Sequence, residues 1–143
     1  IARGWLNYLT AIRQLGTLPG SLREMTIMRI ALLNGAPYEA DQHAPIALKE
    51  GMTQAQLDAL ATWRDSPLFS PREQAVLAYT DSMTRDIQVP KAVFDAVGKH
   101  FEPGQLVELT ATVAAYNMVS RFLEALDIHS DDARDAAITP MTG

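Results

Sequence analysis

A chain of 143 residues is the size of a single domain, and its 48% hydrophobic content supplies enough apolar surface for a core. The net charge of −5 is spread along the sequence without a basic stripe, which argues against nucleic acid as a partner. The chain has no cysteine, which excludes disulfides, thiolate metal sites and thiol catalysis by its own residues.

No apolar run reaches the roughly 18 residues that a membrane-crossing helix needs, and no cleavable leader is visible after Ile1. A cytoplasmic location away from membranes is therefore expected. Trp5, Leu9, Ile12 and Leu15 recur at helical spacing and define the apolar face of a first helix, which Gly16 to Gly20 ends. Ser21 and Glu24 have the spacing of a capping box, so a second helix is expected from Ser21 to Leu33, stopping at Asn34-Gly35. A third, Tyr38 to Glu50, contains Pro45 and should bend there.

Thr53 to Gln56 reads as a second capping box, opening a short helix to about Arg64. Ser70-Pro71-Arg72-Glu73 combines cap, N1 proline and box glutamate, and predicts a helix to about Arg85. Pro90 to His100 and the long segment Pro103 to Leu126 complete the set, the latter with Leu109, Val113, Tyr116 and Val119 along one side. No stretch alternates with period two, so the chain is read as all-α. One domain is expected over 1–128, followed by a polar tail over 129–143 expected to be disordered.

A tight connection at Asn34 to Pro37 makes the second and third helices antiparallel neighbours. Glu24 lies about 16 Å and His43 about 12 Å back from that turn, so their side chains can meet. Glu39, four residues before His43, shares its helix face. A carboxylate that fixes the tautomer of an imidazole suits proton transfer near neutral pH. The competing reading makes Glu24 a capping residue and His43 an ordinary, satisfied helix histidine. A metal site at His43, Glu39 and Asp41 is disfavoured, because those positions cannot share one helix face.

Several segments carry a family resemblance: Leu18-Pro19 with Arg23-Glu24, then Asn34-Gly35, Tyr38-Glu39, His43, Pro45, Ala47 and Gly51. Further segments, Ser70 to Ala78, His100-Phe101, Gln105 to Leu109, Tyr116 to Val119 and Arg121 to Leu123, extend it over nearly the whole chain. Together they resemble the carboxymuconolactone decarboxylase and alkylhydroperoxidase-D-like family. The resemblance implies a compact bundle of about six to seven helices. Peroxidase members carry a C-x-x-C pair and a following histidine on the third helix, with a glutamate on the preceding one. Registered on that pattern, Glu24 and His43 take the glutamate and histidine positions, and the two cysteines fall on Ala36 and Glu39. Thiol peroxidase chemistry is thereby excluded, because no side chain of this chain can form a sulfenic acid.

What the resemblance implies instead is a lyase of aromatic catabolism: a decarboxylase or lactone-processing enzyme needing no cofactor or metal. In it His43, held by Glu24, protonates the carbanion left by loss of carbon dioxide. Glu39, Tyr116, Arg29 and Arg121 are the candidates for binding a small carboxylated substrate; for the arginines and the tyrosine the alternative is surface charge and core packing. A homo-oligomer, whether dimer, trimer or hexamer, is also implied. The rival function is a non-catalytic scaffold or ligand-binding protein of the same fold.

Overall fold

The computed structural model describes residues 1–129. Among them seven α-helices follow in order: α1 Ala2–Gln14, α2 Gly20–Asn34, α3 Pro37–Lys49, α4 Gln54–Ala59, α5 Pro71–Arg85, α6 Lys91–Gly98 and α7 Pro103–Ala125. A 3-10 segment, Leu60–Asp65, continues α4, and no described residue lies in a strand. The expected polar tail from residue 130 onward lies outside the described residues.

Helix α2 is the axis of the bundle and packs against α3, α5 and α7. It carries apolar side chains around most of its circumference, and Leu22, Met25, Ile27 and Ile30 are fully buried. A helix apolar on nearly all sides belongs in a core. From α5 come Val76 and Leu77, and from α7 Leu109 and Val113, all buried. Each such side chain stabilises the fold by about 1.5–3 kcal/mol. Gly35 ends α2 in the left-handed conformation at φ 59°, ψ 45°, and its amide bonds back to the last turn. A Cβ is strained in that geometry, so the glycine makes the tight α2–α3 reversal possible.

Two capping boxes form as expected. Thr53 and Gln56 open α4, and Ser70 and Glu73 open α5, each with both reciprocal bonds. The box expected at Ser21 and Glu24 does not form. Helix α2 begins earlier, at Gly20 after Pro19, with no side-chain cap, and the Glu24 carboxylate is engaged elsewhere. Helix α3 passes through Pro45 without interruption. The helix expected to run to Arg64 stays α-helical only to Ala59, because the Arg29 guanidinium takes the Leu60 carbonyl at 2.9 Å and Thr62 leaves helical geometry.

The connection between α1 and α2 is fixed by α7. The Glu108 carboxylate accepts bonds from the amides of Thr17 (2.9 Å) and Leu18 (2.8 Å), and Gln105 donates to the Thr17 carbonyl. The end of α1 is thereby tied to the start of α2, where Arg23 donates through Nη1 to the Arg13 carbonyl at 2.9 Å.

Candidate active site

The α2–α3 hairpin brings Glu24 and His43 together inside the protein. His43 Nδ1 lies 2.7 Å from Glu24 Oε1, and the two residues are 5% and 1% exposed. The second oxygen, Oε2, accepts from Arg23 Nε at 3.0 Å. A carboxylate bound in this way offers only acceptors, so the proton of the short contact belongs on Nδ1. The other ring nitrogen, Nε2, then faces Glu39 Oε2 at 3.4 Å, one helical turn back along α3.

Glu39 is held differently. Burial raises its pKa above the ordinary carboxylate value; the charges of His43 and Arg13 pull it down, and that of Glu24 pushes it up. Among the described residues its buried Oε2 makes no hydrogen bond, the 3.4 Å approach to Nε2 being an ion-pair contact. Tyr116 of α7 meets the His43 ring edge-on, with centroids 5.4 Å apart. The Tyr116 hydroxyl is likewise buried without a partner among the described residues, and burial pushes its pKa up to about 12, against the opposing charge of Arg13. Buried polar groups are normally paired. The Tyr116 hydroxyl beside the imidazole, unpaired among the described residues, is therefore a candidate point of contact for a polar group. The chemistry available is proton donation and abstraction at Nε2, with Glu24 holding the ring and Glu39 able to share the proton. No group of three or more His, Asp or Glu side chains among the described residues has the geometry of a metal site.

Two of the expected substrate-binding residues lie elsewhere. Arg29 does not face His43. It is buried in a forked ion pair with Asp81 (Nε to Oδ1 2.8 Å, Nη2 to Oδ2 3.1 Å), and Trp63 Nε1 donates to the same carboxylate at 3.2 Å. Its five-residue offset from Glu24 turns it toward α5, where it holds the 3-10 segment in place. Arg121 is exposed and folds back onto Asn117 of its own helix, donating to the side-chain oxygen at 2.9 Å and the carbonyl at 3.2 Å. Arg23, whose position next to Glu24 in the chain turns it about 100° away on an ideal helix, nevertheless completes the site through Glu24 and reaches Glu50 Oε1 at 3.5 Å. Neighbours in sequence do not share a helix face, so no spacing rule points to this pair. Arg13 was also missed; its charge acts on both Glu39 and Tyr116.

An all-helical bundle with a buried imidazole between two carboxylates is the class of protein that the geometry defines. The model of the carboxymuconolactone decarboxylase family matches residues 1–82. The chain belongs to that family. It is 31% identical to the uncharacterized protein YnjA of Escherichia coli (strain K12) over 129 residues, covering 87% of this chain and 66% of that protein. Among solved structures, ATU0492 of Agrobacterium tumefaciens, a protein of unknown function linked in its description to AhpD, superposes with a TM-score of 0.85 at 20% identity, covering 90% of each chain. A variant of the debrominase Bmp8 in complex with 2,3,4-tribromopyrrole superposes at 0.81 with 19% identity, covering 97% of this chain and 75% of that one. These structural likenesses establish the alkylhydroperoxidase-D-like fold.

Proposed function

We propose that this protein is a cytoplasmic lyase that removes carbon dioxide from, or otherwise processes, a small carboxylated lactone by proton transfer at His43. The observation that supports this most is the pair of contacts on the imidazole: an anchoring carboxylate at Nδ1 and a carboxyl group with a raised pKa at Nε2. In the decarboxylation, the electron pair of the breaking carbon–carbon bond passes into the conjugated lactone carbonyl as carbon dioxide leaves. The resulting dienolate carbon takes a proton from Nε2 of the imidazolium. Glu24 stabilises the charged ring before transfer, and Glu39 returns a proton from solvent for the next turnover. Thiol peroxidation has no place in this scheme, since the chain offers no thiolate.

Assay of the protein with gamma-carboxymuconolactone and related lactones tests the reading. Release of carbon dioxide that His43→Gln abolishes is the expected result. A panel that yields no turnover would shift the function to the scaffold or ligand-binding alternative. Assembly into a homo-oligomer is part of the proposal, supported by exposed apolar side chains on the outer helices, among them Leu6 and Tyr8 of α1 and Val107 and Phe122 of α7. No described helix is long and apolar enough to cross a membrane.

A further inference from the structure

A polar cleft that shares no lining residue with the His43 site opens where the 3-10 segment meets α2 and α5. Its volume is about 230 Å³, and three arginines line it: Arg29 of α2, Arg64 of the 3-10 segment and Arg85 at the end of α5. Arg29 is buried and bonds through Nε and Nη2 to Asp81 and through Nη1 to the carbonyls of Leu60 and Ala61. A guanidinium has five N–H donors, so one Nη2 donor is left without a partner among the described residues. The Arg64 guanidinium lies over the Trp63 ring, 4.3 Å from its centroid, and Trp63 is itself fixed by donating to Asp81. Arg64 and Arg85 are exposed and join no ion pair or hydrogen bond among the described residues. Free arginines on one cleft stand out in a chain with 17 acidic residues and only 12 Lys and Arg.

We propose that this cleft binds a phosphate group, free or carried by a small molecule, through Arg64, Arg85 and the spare Nη2 donor of Arg29. Three arginines against Asp65 and Asp81 leave the lining one net positive charge. The Asp81 carboxylate is already taken by Arg29 and the Trp63 indole, so it does not compete for Arg64 and Arg85. Asp65 is exposed and is the one opposing charge without a partner among the described residues. A carboxylate presents two oxygens, which one guanidinium fork satisfies. A phosphate group presents at least three, at a charge of about −1.5 to −2 near neutral pH, and so accepts from guanidinium groups in several directions. Stacking on Trp63 holds the Arg64 plane ready for such an anion. The proposal does not depend on proton transfer at His43, because neither His43 nor Glu24 lines the cleft.

The test follows the Trp63 indole N–H signal by NMR in the full chain, which has two tryptophans, the signal being assigned in Trp5→Phe. Inorganic phosphate, glycerol 2-phosphate and acetate are titrated at an ionic strength held constant with sodium chloride. Phosphate should shift the signal saturably, and acetate should bind roughly tenfold more weakly or not at all. Tighter binding of glycerol 2-phosphate would assign the site to a phosphorylated small molecule, and equal or weaker binding to the free ion. Arg64→Gln and Arg85→Gln should each weaken phosphate binding by about tenfold, the worth of a charge-assisted bond. Asp65→Asn should tighten it, and this opposite sign keeps the test decisive should an arginine variant lose stability. His43→Gln should bind phosphate as wild type does. Absence of a saturable shift, unchanged affinity in both arginine variants, or loss of binding in His43→Gln would overturn the proposal.

Discussion

His43 Nδ1 and Glu24 Oε1 stand 2.7 Å apart in the protein interior, although the residues are separated by 19 positions in the chain. Helix α2 supplies the carboxylate, α3 the imidazole, and the left-handed Gly35 turn between them sets the register. Glu24 accordingly has two neighbours that stabilise its charge, His43 and Arg23, and no role in capping its own helix.

Glu24→Gln keeps the shape and removes the charge. The amide no longer stabilises an imidazolium, so turnover of the lactone should fall by about 10²-fold or more. Arg23 loses its closest anion at the same time, and chemical denaturation should show a loss of about 1–3 kcal/mol.

Glu39→Gln should move stability and activity in opposite directions. The folded protein holds the Glu39 proton to higher pH than the unfolded chain does, because burial disfavours the carboxylate. Its contribution to stability is therefore complete below the ordinary carboxylate range, declines as the pH rises out of that range, and levels off above the raised value. At pH 7 the neutral glutamine removes this penalty and should raise stability by about 0.5–2 kcal/mol, while turnover drops. Melting curves of wild type and variant should converge as the pH is lowered into the carboxylate range.

Tyr116→Phe removes a buried hydroxyl that bonds to nothing among the described residues. Stability should be unchanged or higher by about 1 kcal/mol, since an unsatisfied buried polar group is a cost. The KM for the lactone should rise. A marked loss of stability would show that the hydroxyl is structural.

Arg29→Met should do the reverse of Tyr116→Phe. It leaves the Asp81 carboxylate buried with only the Trp63 indole as partner, and removing one side of a buried pair costs about 3–5 kcal/mol. Denaturant midpoints should fall sharply. Turnover by the fraction still folded should remain near wild type, because Arg29 points away from His43.

The features legible in the sequence are those decided within one or two helical turns. The boxes at Thr53 and Ser70 need only residues three apart, and the reversal at Gly35 needs only a glycine after an apolar run. The meeting of Glu24 and His43 was also within reach, because a short turn between antiparallel helices fixes which levels face each other. Tertiary contacts decided the rest. Glu24 fits the spacing of a cap, yet a histidine from the next helix and an adjacent arginine claim its carboxylate. Arg29 looks like a free cation until Asp81, 52 residues on, is folded against it. The end of α4 depends on that same arginine taking the Leu60 carbonyl. Arg13 carries no local signature, since its charge reaches Glu39 and Tyr116 only once α1 is docked.

The most direct test of proton transfer at His43 is single-turnover decarboxylation of gamma-carboxymuconolactone in deuterium oxide, comparing wild type with His43→Gln, whose amide can still donate to Glu24. Wild type should place one deuterium on the dienolate carbon alpha to the lactone carbonyl, and the variant should lose that rate by orders of magnitude while melting within a few degrees of wild type. Equal rates and equal deuterium incorporation in the two proteins would contradict the account.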